Sequence, residues 1–193
     1  LYILDSLAPG GAETSLAEMA PQLVADGLDL HVLSLGSRMD LAPALEATGA
    51  TIHTGKGRTG RVGNVMLTIS IIREIRPHLI HTTLYESDIA GRTAAMLTRT
   101  PVSSSVVGDT YGPVRAAEVN AHRLQTALAL DRVTARKVSL FHAVSLSLAE
   151  SVHHNLRVPR ERIEVIPRGR NADKYPFRPK GLRSTTRVSL GVA

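Results

Sequence analysis

Leu1-Tyr-Ile-Leu-Asp5-Ser-Leu-Ala-Pro-Gly10-Gly-Ala-Glu-Thr14, running on to Val24-Ala-Asp-Gly27, is the stretch from which the rest of the chain is read. Leu1 to Leu4 is the short apolar run of a buried strand. Residues 5–11 hold a proline and two glycines, the composition of a turn. Beyond them Leu16, Met19, Ala20, Leu23 and Val24 recur at the spacing of one helix face, and Gly27 stands where a C-cap glycine belongs. Strand, glycine turn and helix make the opening half of a βαβ unit. Gly10 and Gly11 fall at the helix N-terminus, where free N–H groups and the positive end of the helix dipole favour an anion, most often phosphate. Pro21 lies inside the helical pattern without an N–H, and predicts a kink or a delayed start.

Outward from this unit the rhythm repeats. Strands are predicted at Leu28–Leu35, Ala50–Thr54, Leu79–Thr82, Val102–Val107, Leu140–Val144 and Arg162–Ile166. Helices are predicted between them: a short one near Asp40–Thr48, one through Val65, Ile69 and Ile72 that ends before Pro77, one over Glu86–Thr98, and a long arginine-rich one over Val114–Lys137. Ser145 or Ser147 caps the next helix, and Ser147 with Glu150 matches a capping box. The strands read as continuous apolar runs, which predicts an α/β fold: a Rossmann-like, doubly wound parallel sheet of about seven strands with helices on both faces. Beyond Ile166 the rhythm stops. Residues 1–166 are read as one domain, and 167–193 as a linker leading into a further domain. Because Leu1 is not methionine and the first strand begins at once, a few residues are expected to precede it.

Composition narrows the partners. The net charge is +6 and the pI about 10.2, a balance that favours anionic ligands or surfaces. Aromatic residues make up only 3%, too few for the stacking platforms that hold single strands, so no nucleic-acid partner is expected. Cysteine is absent, which excludes disulfides and thiolate metal sites. The eight histidines include no H-x-x-x-H pair, and His153 and His154 point apart on a helix, so no metal site is expected. No apolar run is long enough to span a bilayer. A cytoplasmic protein is expected, with contact to the inner face of an anionic membrane as an extension of its charge.

The candidate sites follow from these elements. Gly10 and Gly11 lie at the carboxyl end of the first strand, where a doubly wound sheet has its ligand crevice. A dinucleotide site is not indicated, because the G-x-G-x-x-G fingerprint is missing. Gly55 to Arg61 resembles a Walker A loop but has Arg61-Val62 where Lys-Ser or Lys-Thr is required, so nucleotide hydrolysis is rejected. Lys56, Arg58 and Arg61 remain candidates for touching an anionic substrate or headgroup, with a plain solvated loop as the alternative. His81 closes the fourth strand and Asp109 follows the fifth, so both are expected to face the same crevice and to serve there as substrate-contacting, catalytic side chains. Arg168 and Arg170 add positive charge where the rhythm breaks.

In order along the chain, Gly10-Gly-Ala-Glu13, Pro77-His-Leu-Ile-His81, Ala143-Val-Ser145 and Arg162-Ile-Glu-Val-Ile-Pro167 resemble the N-terminal half of family-4 retaining glycosyltransferases, which have the GT-B fold. The resemblance spans essentially the whole chain. It implies an acceptor-binding domain, a second domain holding most of the sugar nucleotide, and reaction in the cleft between them. It places Gly10 and Gly11 at the donor diphosphate and His81 at the end of the fourth strand, with Asp109 where many members carry a histidine. The implied activity is hexosyl transfer from a nucleotide sugar with retention, with no bound metal or other cofactor; the acceptor is left open, and the basic rim suits one that is phosphorylated or lipid-linked. At the hinge, Pro167-Arg-Gly-Arg-Asn171 departs from the usual Pro-Asn-Gly-Val-Asp. The alternatives are a nucleotide-sugar epimerase-like enzyme and a non-catalytic basic module that docks on anionic lipid or a partner.

Overall fold

A computed structural model describes residues 1–55, 60–169 and 187–191. Seven strands form one sheet: β1 (Tyr2–Leu4), β2 (His31–Ser34), β3 (Thr51–Thr54), β4 (Ile80–Thr83), β5 (Val102–Val106), β6 (Leu140–Ala143) and β7 (Ile163–Val165). Their order is β3-β2-β1-β4-β5-β6-β7, and every pairing is parallel. The helices between them are α1 (Gly11–Ala25), α2 (Ala42–Glu46), α3 (Gly60–Ile75), α4 (Tyr85–Thr98), α5 (Pro113–Glu118), α6 (Ala121–Ala135) and α7 (Leu146–Leu156). Parallel neighbours require crossover connections, so every strand-to-helix turn emerges at the carboxyl edge of the sheet and every helix-to-strand turn at the amino edge.

The sheet separates two apolar cores. On one face Leu4, Val32 and Leu7 pack with Leu16 and Ala20 of α1 and Leu45 of α2. On the other, Ile3, Leu33, Ile80 and Phe141 pack with Ile69 and Ile72 of α3, Ala94 of α4, Ala135 of α6 and Val152 of α7. The doubly wound parallel sheet expected from the sequence is therefore present. α1 runs through Pro21, which is exposed and, lacking an N–H, gives no bond to the carbonyl one turn earlier.

Four local expectations need correction. The long helix predicted over 114–137 is two, because Asn120 ends the first and caps the second by accepting from the His122 N–H at 3.0 Å. The cap of α7 is Ser145, whose Oγ accepts from Leu148 N–H at 3.3 Å, while Glu150 pairs with Arg160 instead of closing a box on Ser147. Arg61 is not in a loop: α3 starts at Gly60, and the Arg61 guanidinium forms a two-pronged pair with Glu86 at 3.1 and 3.2 Å. Lys56, Arg58 and Arg170 lie outside the described residues. Finally, β4 to β6 are not apolar throughout. His81, Ser103, Ser105 and His142 stand side by side on the face that carries α1, and His81, Ser105 and His142 line a cavity of about 1100 Å³ bounded also by Met19, Leu23 and Ile166.

Gly91 sets the distance between α4 and the sheet. A Cβ at this position would collide with Cγ2 of Thr82 and press on Cδ1 of Ile3. Gly91→Val should therefore destabilise the fold by roughly 1–3 kcal/mol through overpacking, although it removes a glycine from a helix. Urea denaturation reads this as a lower midpoint at unchanged slope. A midpoint equal to wild type would mean that α4 is not held by close contact here.

Candidate functional site

β1 lies between β2 and β4, so the chain turns to opposite faces of the sheet at the carboxyl ends of two adjacent strands. α1 leaves β1 toward one face and α4 leaves β4 toward the other. A crevice opens at such a switch point. Here it has a volume of about 540 Å³ and is lined by Asp5, Gly11, Tyr85, Asp88, Asp109 and Arg168, among others. The turn into α4 is tight. Leu84 carries it with φ +81° and ψ 156°, a region that side chains rarely adopt and that costs of order 1–3 kcal/mol. Asp5 braces the turn from β1, since its Oδ1 accepts from the Ser87 N–H at 2.7 Å and from Ser87 Oγ at 2.5 Å. Burial pushes the Asp5 carboxyl above its ordinary pKa, and the two bonds from Ser87 pull it back.

At the N-terminus of α1, Gly10 is extended (φ −153°, ψ 172°), so neither a left-handed turn nor its glycine requirement applies. A side chain at Gly10 would have to displace the carboxylate of Glu13, which folds back against it. Glu13 stands where the acid of a capping box stands, and it is buried. Gly11 is different: among the described residues, a Cβ there would have only Arg168 Nη1 near it, at 3.6 Å. The same Nη1 donates to the Gly11 carbonyl at 2.8 Å. Gly10, Gly11 and Arg168, separately proposed from the sequence, are thus brought together.

Asp109 lies at the mouth of the crevice. Its Oδ1 accepts from Ser151 Oγ at 2.8 Å, and its other oxygen leans over Gly112. His81 does not join it. His81 is the second residue of β4 and projects onto the sheet face, where Nδ1 meets Ser103 Oγ and Nε2 meets Ser105 Oγ, both at 2.8 Å, and the ring lies 4.7 Å from that of Tyr2. The expectation that His81 and Asp109 share one crevice is corrected: His81 lies in the larger cavity. Burial, with His142 nearby, lowers its pKa to about 4, so the ring is neutral.

A buried ionic cluster forms the floor of the crevice, and the sequence reading missed it. Arg92, 1% exposed, donates from Nη1 to Asp131 at 2.5 Å and from Nε to Ser104 Oγ at 2.8 Å, and pairs through Nη2 with Asp88 at 3.1 Å. Thr82 donates to Asp88, and Tyr111 donates to the second oxygen of Asp131 at 2.7 Å. Complete burial pushes the Asp88 carboxyl up to about 7 against the pull of Arg92. Burial and the Asp131 charge raise the Tyr111 hydroxyl well above the usual phenol range, so it stays a donor. The available signal was the Asp88–Arg92 spacing of four, which places both on one helix face. Its inward orientation could not be read locally. No group of histidine and carboxylate side chains suited to a metal ion occurs among the described residues.

The sheet order and this crevice define the N-terminal half of the GT-B glycosyltransferase fold. The chain matches Glycosyltransferase Family 4 over residues 9–174, and it belongs to that family. No curated protein sequence matches it. Among solved structures it is similar to HepE of Anabaena in complex with UDP and glucose, at 20% identity and a TM-score of 0.68, with 98% of this chain aligned to 49% of that one. A glycosyltransferase from Rickettsia africae aligns over 100% of this chain and 49% of its own, at 18% identity and a TM-score of 0.64. UDP-GlcNAc 2-epimerase from Neisseria meningitidis, bound to UDP-GlcNAc, aligns over 85% of this chain and 44% of its own, at 11% identity and a TM-score of 0.58. The chain thus spans about half the length of the structures it matches. Among the described residues no helix is long and apolar enough to cross a membrane.

The buried histidine gives a pH test. His81 has a folded pKa near 4 against 6.5 when unfolded, so its neutrality stabilises the fold above pH 6.5 and that contribution is lost as pH falls toward 4. Asp88, raised to about 7, works in the opposite direction over pH 4–7. Comparing wild type with His81→Gln isolates the histidine. The stability lost between pH 7 and pH 4.5 should shrink by roughly 2 kcal/mol in the variant. Parallel stability curves for the two proteins would show that His81 is as readily protonated in the fold as outside it.

Proposed function

We propose that this chain is the acceptor-side half of a nucleotide-sugar glycosyltransferase, with the donor diphosphate approaching Gly11 at the N-terminus of α1. The observation that carries the reading is the side of Gly11 left open by the described residues in the β1/β4 crevice, with Arg168 bonded to its carbonyl. It is supported by family membership over residues 9–174 and by the UDP and UDP-sugar named for structures of the same fold. Family membership favours transfer over epimerisation. Backbone N–H groups, the helix dipole and Arg168 offer stabilisation to a leaving diphosphate without a metal ion. The transferred group is a hexosyl unit, and configuration is retained. The bond from the anomeric carbon to the diphosphate oxygen breaks while the acceptor oxygen bonds to that carbon from the same face. The acceptor proton passes to a carboxylate, for which Asp109 is nominated by its place at the crevice mouth. His81 receives no role in this step. The acceptor is a hydroxyl compound bearing phosphate or a lipid-linked phosphate.

Gly11→Val tests the diphosphate position. The Gly11 side is uncrowded, so thermal stability should change little, while the dissociation constant for UDP should rise by about tenfold or more as the side chain and a displaced Arg168 obstruct the anion. Titration calorimetry with UDP and a melting curve on the same variant separate the two effects. Unaltered UDP affinity in a folded Gly11→Val protein would remove the site. In the full-length enzyme, Asp109→Asn should lower kcat on the order of 10²-fold, as expected for a positioned acid–base group. Unchanged turnover would leave Asp109 as a bracket between the β5 loop and Ser151.

A further inference from the structure

A chain of hydrogen bonds runs over β4, β5 and β6 on the face that carries α1, and it ends on Ile166, the first residue after β7. Ser103 Oγ lies 2.8 Å from His81 Nδ1, His81 Nε2 lies 2.8 Å from Ser105 Oγ, and Ser105 Oγ lies 2.9 Å from His142 Nδ1. His142 Nε2 then lies 2.8 Å from the carbonyl oxygen of Ile166. A carbonyl only accepts, so Nε2 of His142 carries a proton, and in that tautomer Nδ1 accepts from the Ser105 hydroxyl. Ser105, its proton used, accepts from His81 Nε2–H, and the neutral His81 ring accepts at Nδ1 from Ser103. One carbonyl thus sets the tautomer of both rings.

That carbonyl belongs to the residue at which the sheet releases the chain. The Ile166 N–H still bonds the Ala143 carbonyl at 3.0 Å, continuing the β6–β7 ladder. Its C=O is taken by a side chain, His142. Pro167 follows, with a fixed φ, and favours an extended Ile166. Held at both its N–H and its C=O, Ile166 leaves little freedom to the backbone two residues on. There stands Arg168, whose Nη1 donates to the Gly11 carbonyl at 2.8 Å. An arginine side chain has many rotamers, so a bond across such a gap forms readily only from a backbone that is already fixed. Arg168 lines both the crevice and the larger cavity, whereas His142 lines the larger cavity alone.

We propose that His142 is a positioning residue for the anion corner at Gly11: its bond to the Ile166 carbonyl fixes the Ile166–Pro167 step, and that step aims Arg168 at the N-terminus of α1. His81 and Ser105 act behind it, by holding His142 in the tautomer that donates. The proposal rests on the reading that a diphosphate approaches Gly11, and the experiment separates the two.

In the full-length protein, amide hydrogen exchange reads the tether and titration calorimetry with UDP reads its effect. In His142→Leu the Ile166 N–H should exchange about fivefold faster, as for the loss of one neighbouring hydrogen bond, while amides of β1 keep their rates. Ser105→Ala, a smaller change, should speed the same exchange by a smaller factor, and decides the tether where the leucine variant does not fold. The dissociation constant for UDP should rise about fivefold in His142→Leu. His142→Gln, whose amide can accept from Ser105 and donate to Ile166, should keep exchange and affinity near wild type. Arg168→Ala should weaken UDP binding about tenfold, and His142→Leu added to it should cost nothing further, because no arginine is left to aim. Unchanged Ile166 exchange in the folded variants overturns the tether. An equal loss of UDP affinity with and without Arg168 overturns the positioning role and makes His142 a support of the fold. Wild-type affinity in His142→Leu, beside a weakened Arg168→Ala, overturns the role while leaving the diphosphate at Gly11. Wild-type affinity in Arg168→Ala removes the diphosphate reading and the proposal with it.

Discussion

A guanidinium group sealed inside an apolar layer is the constraint on which the rest of this structure depends. Arg92 is buried among Ile3-side core residues, with its charge 5.1 Å above the Phe141 ring. Such a charge is tolerable only if every donor finds an acceptor, and here Asp88, Asp131 and Ser104 supply them. Those partners come from α4, α6 and β5, so satisfying one side chain fixes three elements relative to one another. Removing Arg92 would leave both Asp88 and Asp131 without their cation, at a cost of about 3–5 kcal/mol or more. The cluster is better understood as a specification of geometry than as a source of stability. It allows one packing of α4 and α6 and penalises the others.

Besides forming the floor of the crevice, the cluster holds one of its walls through a hydroxyl. Tyr111 belongs to the loop that carries Asp109, and its bond to Asp131 ties the loop to the buried cluster. The opposite wall is tied by Asp5, which reaches from the end of β1 to the first turn of α4. Between them Leu84 keeps an unfavourable backbone conformation, which persists only because its surroundings determine it. The crevice is therefore framed by polar bonds on both sides of a strained turn, while among the described residues its glycine corner at Gly11 stays open.

Much of the fold was legible because it is written in local periodicity. The apolar runs at Leu1–Leu4 and Leu30–Leu35, the proline after α3 and the glycine turn before α1 each act over a few residues. The family resemblance was legible in the same stretches. What escaped were features decided across the sheet. The short polar strand Val102–Val106 reads only as a strand, and nothing local shows that Ser103 and Ser105 serve His81 while Ser104 serves Arg92. Likewise the break at Asn120 is a single capping residue inside an unbroken helical composition. His81 was misplaced by its register within β4. It is followed by two further strand residues, Thr82 and Thr83, and the alternation of side chains sends its ring to the sheet face.

The pairing of β1 with β4 has a consequence for how the chain assembles. Tyr2 lies opposite His81 and Asp5 meets Ser87, contacts that span about eighty positions of the chain. β1, β2 and β3 can associate through near neighbours, and so can β4 to β7, but neither group alone has a switch point. The crevice comes into being only when the two groups join, a step whose entropy must be lost before any of its contacts are gained. A ligand held there binds across the seam, so it recognises only chains whose two halves have met, and partly folded forms are invisible to it.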